Sequence, residues 1–202
     1  MLNVILHEPE IPFNTGAIGR TCVATNTALH MIEPFGFILS DRNIKRAGMD
    51  YWEKLNLTRY TDYEDFLDKH REICFAGNYG GKNCFSETEC GESSNAEELE
   101  EIQPPHLWYA TTKARQTYAD VRFGPDDFIM FGKESAGIPE EILVLHPEAC
   151  IRIPMWGDTR SLNLSNSVAI ILYEALRQNG FDRMARYGNL HHLSWDSCKQ
   201  EK

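Results

Sequence analysis

No stretch of this 202-residue sequence approaches the roughly 18 consecutive apolar residues that a membrane-spanning helix requires. Met1 to Leu6 run into His7-Glu8 with no basic flank and no longer apolar stretch, so no secretory signal is expected. The six cysteines are scattered at positions 22, 74, 84, 90, 150 and 198. A chain of this length needs no disulfide staples, so reduced thiols in a cytoplasmic protein are the expectation. Cys84 and Cys90 with His106 invite a zinc hypothesis, but the paired short spacings of a structural zinc site are missing, and no metal is expected. Net positive charge is lacking too. Twenty basic and 30 acidic residues give −10, the wrong sign for gripping nucleic acid by bulk attraction.

The distribution of that charge alters the picture. Residues 71–106 hold two basic and eight acidic side chains, which leaves only −4 of the −10 for the rest of the chain. Within that remainder Arg42, Lys45, Arg46, Lys113, Arg115, Lys133, Arg152 and Arg160 form a local positive surface or are ordinary solvated loop charges. The 42% hydrophobic and 25% charged fractions are those of an ordinary globular chain. The expected organisation is one domain over 1–182, with an acidic surface insertion at about 71–106 and a tail over 183–202 that carries His191, His192 and Trp195.

Short apolar runs alternate with helical patterns. Strands are expected at Leu2–Leu6, Ala28–Ile32, Leu55–Tyr60, Ile73–Ala76, Leu107–Thr111, Phe128–Phe131 and Ala149–Ile153. Helices are expected from near Asn14, over residues 62–70, and from near Ser161 to Gly180. That alternation predicts a mostly parallel α/β sheet flanked by helices. The last helix carries Leu164, Val168, Ile171, Leu172, Ala175 and Leu176 on one face and Ala169, Ile170 and Tyr173 on the other. Apolar most of the way round, it is expected to bury one face on its sheet and to offer the other to a partner subunit.

In a parallel sheet, ligands bind at the carboxyl ends of the strands, which directs attention to the loops that follow them, of which four qualify. After the first strand come Pro9 to Gly16, with Asn14 placed to cap a helix and Arg20 further along it. After Phe131 the chain reads Gly132-Lys133-Glu134-Ser135-Ala136-Gly137-Ile138-Pro139. This is no P-loop, because Asp127 stands where the first glycine belongs and Glu134 follows the lysine; a G-x-G-x-x-G pattern is absent as well. An ordinary strand-to-helix turn accounts for it equally well. After Ile153 a dense group of small polar residues, Ser161, Asn163, Ser165 and Asn166, enters the apolar helix. Helix interiors disfavour Ser and Asn, and capping explains one or two of these but not all four.

Taken in order, Asn14-Thr15-Gly16 with Arg20, the 131–139 segment, and Ile151-Arg152-Ile153-Pro154-Met155 leading to Ser161-Leu162-Asn163-Leu164-Ser165-Asn166 resemble the three signature motifs of the SpoU-type (SPOUT) RNA 2'-O-methyltransferases. The likeness is closer to one branch, small tRNA enzymes that methylate the ribose of the wobble cytidine or uridine. It is carried there by Leu2-Asn3-Val4, Glu8 to Pro12, Ile32-Glu33-Pro34, Arg46 to Tyr51 and Ala110-Thr111-Thr112-Lys113. It covers nearly everything except about 71–106 and the tail. One departure stands out, Lys133 in place of the proline expected after the glycine of this branch.

The resemblance implies a sheet whose C-terminal part is tied in a trefoil knot, a rare exception to the rule against threaded chains. It implies S-adenosylmethionine as cofactor, bound by Ala110, Gly132, Ile153, Ser161 and Leu162, and tRNA as substrate. It further implies a homodimer whose catalytic pocket draws on both subunits. Arg20 and Asn14 are then the catalytic candidates, while Glu134, Asn163 and Asn166 support the loops or the substrate. Arginine offers hydrogen-bond donors only, so Arg20 is read as orienting the ribose hydroxyl and its adjacent phosphate rather than as a simple base. Three other readings stay open: a catalytically silent knotted RNA-binding module, 2'-O-methylation of another RNA such as rRNA, and an unrelated enzyme that binds ATP or NAD.

Overall fold

The computed structural model describes residues 1–38, 52–75, 104–157 and 160–195. Its strands are β1 (Asn3–His7), β2 (Ala28–Ile32), β3 (Leu57–Tyr60), β4 (Cys74–Phe75), β5 (His106–Ala110), β6 (Gln116–Thr117), β7 (Phe128–Phe131) and β8 (Cys150–Arg152). The helices are α1 (Pro12–Thr25), α2 (Tyr63–Lys69), α3 (Glu140–Leu143) and α4 (Leu164–Gln178). The strands form one sheet in the order β3-β2-β1-β7-β5-β8-β6, with β4 also against β5. Every pairing between them is parallel.

Parallel strands need crossover connections, and these cover both faces of the sheet. The central strands are accordingly apolar on both sides, and successive residues point to opposite layers. Val4, Leu6, Ile129 and Phe131 join a core with Ile18 and Cys22 of α1 and Val168, Ile171, Leu172 and Ala175 of α4. Ile5, Leu107, Tyr109, Phe128 and Met130 join the opposite core with Phe66 of α2 and Leu143 of α3. Buried Asp127 aligns two strand starts by accepting hydrogen bonds from the His106 N–H at 2.9 Å, the Trp108 indole at 2.8 Å and the Gly124 N–H at 2.9 Å. Burial pushes its carboxyl up, but the His106 side chain and then those donors prevail and hold it below the usual carboxylate range.

Several boundaries depart from the sequence expectation. α1 starts at Pro12 with Ile11 at its cap position, so Asn14 is a buried residue inside the first turn and caps nothing. Proline at the helix start loses no hydrogen bond and presets φ, which explains the earlier beginning. α4 starts at Leu164, not near Ser161, because Asn163 is its cap: Asn163 Oδ1 accepts from the Ser165 N–H at 2.9 Å and the Asn166 N–H at 3.4 Å. β6 was not expected, since two polar residues carry no periodic signal. Residues 71–75 and 104–106 belong to the described fold, with β4 on β5, whereas 76–103 of the acidic stretch lie outside the described residues. Arg42, Lys45 and the segment Arg46 to Tyr51 lie outside them as well. Among the described residues no helix is long and apolar enough to cross a membrane.

Candidate active site

Strand order reverses between β1 and β7, and ligand crevices form outside the carboxyl ends of strands at such a switch point. There the loops after β1, β5, β7 and β8 enclose a cleft of about 550 Å³. That volume lies in the range of small-molecule sites. Phe131, Ile151, Ile153, Leu164 and Ile171 form an apolar wall; Thr111, Thr112, Ser161 and Ser167 add hydroxyls. All five residues expected to hold a cofactor, Ala110, Gly132, Ile153, Ser161 and Leu162, line the cleft. Asn14, Glu134 and Asn163 line it too.

Gly132 is there for close approach. A Cβ at this position would sit 2.0 Å from the Gly137 carbonyl carbon and 2.1 Å from the Ile138 nitrogen, so no side chain fits. The loop folds back on itself, with the Gly137 N–H donating to the Lys133 carbonyl at 2.8 Å and Gly137 at φ +76°. In that left-handed region glycine avoids the penalty other residues incur.

A chain of side-chain hydrogen bonds ties three walls of the cleft together. The Asn163 amide donates to Asn14 Oδ1 at 3.0 Å, and the Asn14 amide donates to Glu134 Oε1 at 2.8 Å. The other oxygen of Glu134 accepts the Glu10 N–H at 2.9 Å. Glu10 returns the contact, its carboxylate accepting from the Ser135 N–H at 2.9 Å and the Ser135 hydroxyl at 2.8 Å. Sequence reading missed Glu10 and Ser135 as site residues, because nothing local marks a bond between positions 125 apart. The small polar residues ahead of α4 also find their reasons here. Asn163 caps the helix, the Ser165 hydroxyl donates to Asn163 Oδ1 at 2.6 Å, and the Ser167 hydroxyl donates to the Asn163 carbonyl at 3.2 Å.

Two lysines of the cleft wall are each paired with a carboxylate. Lys133 Nζ is 2.7 Å from Glu8 Oε2, and Lys113 Nζ is 2.7 Å from Glu140 Oε1. The Glu8 hydrogen bond raises the Lys133 ammonium, and the bond from Lys113 lowers the Glu140 carboxyl. Cys22 and Cys150 are buried free thiols. Burial pushes Cys22 up to about 12 and raises Cys150 as well, which makes both poor nucleophiles. Among the described residues no three His, Cys, Asp or Glu groups are placed to hold a metal ion. Cys84 and Cys90 lie outside them.

Arg20 and Asn166 do not line the cleft of this chain. Both are exposed. Residues 14 and 20 are separated by about 240° around the helix and by about 9 Å along it, so Asn14 faces the cleft while Arg20 leaves α1 on another side. The exposed surface of α1 also carries Phe13, and α4, which packs beside it, leaves Ile170 and Tyr173 partly exposed. Asn14 and Arg20, adjacent in the motif, are therefore not brought together within one chain.

The model of the SpoU rRNA methylase family matches this sequence over residues 1–90 and 83–173. The tRNA (cytidine(34)-2'-O)-methyltransferase of Escherichia coli (strain K12) is 41% identical over 182 residues, which span 90% of this chain and 96% of that enzyme. A solved structure described as giving insights into the 2-OH methylation of C/U34 on tRNA superposes with a TM-score of 0.69 at 33% identity, covering 89% of this chain and 97% of that one. The SpoU methyltransferase AviRb of Streptomyces viridochromogenes, solved in complex with AdoMet, shares the fold. Its TM-score is 0.65 at 22% identity, covering 89% of this chain and 58% of AviRb.

Proposed function

This chain belongs to the SpoU rRNA methylase family, and from that premise we propose that it transfers a methyl group from S-adenosylmethionine to the ribose 2'-hydroxyl of a tRNA nucleotide, the wobble cytidine or uridine. The observation that carries the reading is the cleft at the switch point, whose three loops are cross-tied through Asn163, Asn14 and Glu134. The residues present suit the cofactor. Gly132 brings a bare backbone to the wall, the aliphatic side chains accept a flat apolar ring, and Ser161 and Thr111 offer hydroxyls to polar edges. We assign Ala110, Gly132, Ile153, Ser161 and Leu162 to holding it. When bound, S-adenosylmethionine supplies a methyl group on a positively charged sulfur and leaves as a neutral thioether.

Attack by a sugar oxygen on that methyl is an in-line displacement, so positioning carries much of the barrier reduction. The hydroxyl must also shed its proton as the bond forms. Arg20 donates to the hydroxyl and its neighbouring phosphate, stabilising developing charge, while the phosphate or solvent takes the proton. Because Arg20 does not line the cleft of its own chain, we assign it to the cleft of a partner copy in a homodimer formed over α1 and α4. Exposed Phe13, Ile170 and Tyr173 on those helices support that interface. Glu134 and Asn163 hold the loops, and exposed Asn166 faces the RNA.

The same reading makes the C-terminal half of the domain, over 1–182, a trefoil knot. It is supported by the position of β8, which follows β7 in the chain yet enters the sheet on the far side of β5, between β5 and β6. The protein acts where tRNA is processed, in the cytoplasm. The test is incubation of the protein with unmodified tRNA transcript and donor carrying a labelled methyl group. Label in tRNA that protects one internucleotide bond from alkali supports 2'-O-transfer. Label in rRNA fragments alone moves the substrate, and binding without transfer supports the silent module.

A further inference from the structure

Lys133 lines the cleft, and its ammonium is 2.7 Å from Glu8 Oε2 on the loop after β1. Lys113, the cleft's neighbouring lysine, is matched in the same way by Glu140. Glu8 is held at φ 51°, in the left-handed region that is unfavourable for any side chain except glycine or a small polar group. Its N–H donates to the Ile32 carbonyl at 3.0 Å, so the strained backbone is anchored from behind. The main chain of Lys133 is fixed as well, bridged to Gly137. Both ends of the ion pair thus start from set positions.

The pair is not needed to hold the two loops together. Glu10 to Ser135 and Glu134 to the Glu10 N–H already join them without a lysine. What the pair does alter is charge. An unmatched ammonium on a residue that lines the cleft repels a sulfonium ligand but has no such effect on a neutral thioether, and the two side chains are only 31% and 27% exposed, so solvent screens them incompletely.

We propose that Glu8 is a positioning residue whose carboxylate cancels the charge of Lys133, and that this pair sets the preference of the cleft between a sulfonium donor and its thioether product. The proposal rests on the cleft being the S-adenosylmethionine site and deepens that reading. It assigns a purpose to the lysine that stands where the branch resemblance leads one to expect proline.

The experiment is calorimetric titration of S-adenosylmethionine and S-adenosylhomocysteine into the full-length protein and three variants, Glu8→Gln, Lys133→Met and the double variant. Glu8→Gln is expected to weaken the sulfonium ligand about fivefold more than the thioether. Lys133→Met is expected to shift the ratio of the two dissociation constants the opposite way. The double variant returns it to within about twofold of the wild-type ratio, and high salt compresses all the differences. Should Glu8→Gln fail to fold, the opposite shift in Lys133→Met and its cancellation in the double variant still decide the matter. Equal factors for both ligands in every folded variant, or a ratio that never moves, overturn the proposal and leave the reading of the cleft intact. A wild-type protein that binds neither ligand overturns that reading itself.

Discussion

The Asn163 amide donates to Asn14 Oδ1 at 3.0 Å across 149 positions of sequence, and Asn14 relays the contact through its own amide to Glu134 at 2.8 Å. One buried asparagine thereby fixes the last helix and the glycine loop relative to each other, and the cleft lies between them. Replacing Asn14 with Asp sets a second carboxylate against Glu134 in a buried place. The expected loss of stability in urea unfolding is about 2–4 kcal/mol, larger than for Asn14→Ala. Adding Glu134→Gln to Asn14→Asp recovers most of it. An Asn14→Asp variant as stable as wild type contradicts the relay.

The two glycines of the loop fail for different reasons. Gly132→Ala drives a methyl group into the backbone of Gly137 and Ile138, so cofactor binding is lost and the melting temperature falls. Gly137→Ala meets open space but must hold φ +76°, at a cost of about 1–2 kcal/mol. Titration calorimetry and thermal unfolding of the two variants separate them. Gly132→Ala with wild-type cofactor affinity removes Gly132 from the site.

Much of the fold was legible because parallel strands buried on both faces announce themselves as apolar runs; β1, β2, β5 and β7 fall within two residues of where the sequence places them. Where local signals are weak the reading failed. Asn14 is a good capping residue, yet Pro12 starts the helix earlier and turns Asn14 into a buried linker. The five residues expected to hold a cofactor all line one cleft. Arg20 does not, because residues adjacent in a motif point in different directions once they are helical. Glu8 and Lys133 meet only through the tertiary fold, so their spacing in sequence carries no sign of the ion pair.

The proposed action of Arg20 across a homodimer makes a quantitative prediction. Arg20→Ala and Gly132→Ala are each inactive alone. Mixed and allowed to exchange subunits, they form hybrid dimers in which one of the two sites pairs an intact glycine loop with an intact arginine. About a quarter of wild-type activity returns. No recovery on mixing, with exchange verified, places Arg20 outside the partner's site. Arg20→Lys tests the role itself: a residual rate whose pH profile does not follow lysine ionisation supports orientation, and one that tracks it supports proton abstraction.

Acid sensitivity should trace to a buried histidine. Burial, reinforced by nearby His70, lowers His30 to about 4 from an ordinary 6.5. Its ring nitrogens bond to the Tyr60 hydroxyl at 2.8 Å and to Asn3 Oδ1 at 3.2 Å. In this window the unfolded chain takes up the proton and the native state does not, so stability falls as pH drops from 6.5 toward 4. The full effect is about 3 kcal/mol. Asp127 has the other sign of charge and a separate window. Its depressed carboxyl contributes stability above the ordinary 3.8, which is lost only as pH falls below that. Urea unfolding at stepped pH should show a His30→Gln variant with a flatter limb above pH 4, and a wild-type curve flat from 6.5 to 4 refutes the assignment.

The most direct measurement is of tRNA from cells that contain this protein and from cells that lack it, with the anticodon-loop fragments resolved by mass spectrometry. The account predicts a 14 Da methyl increment on the ribose of the wobble cytidine or uridine in the first sample alone, restored by the wild-type gene and not by Gly132→Ala. Identical wobble nucleotides in both samples, or a methyl group carried on a base instead of the sugar, would contradict it.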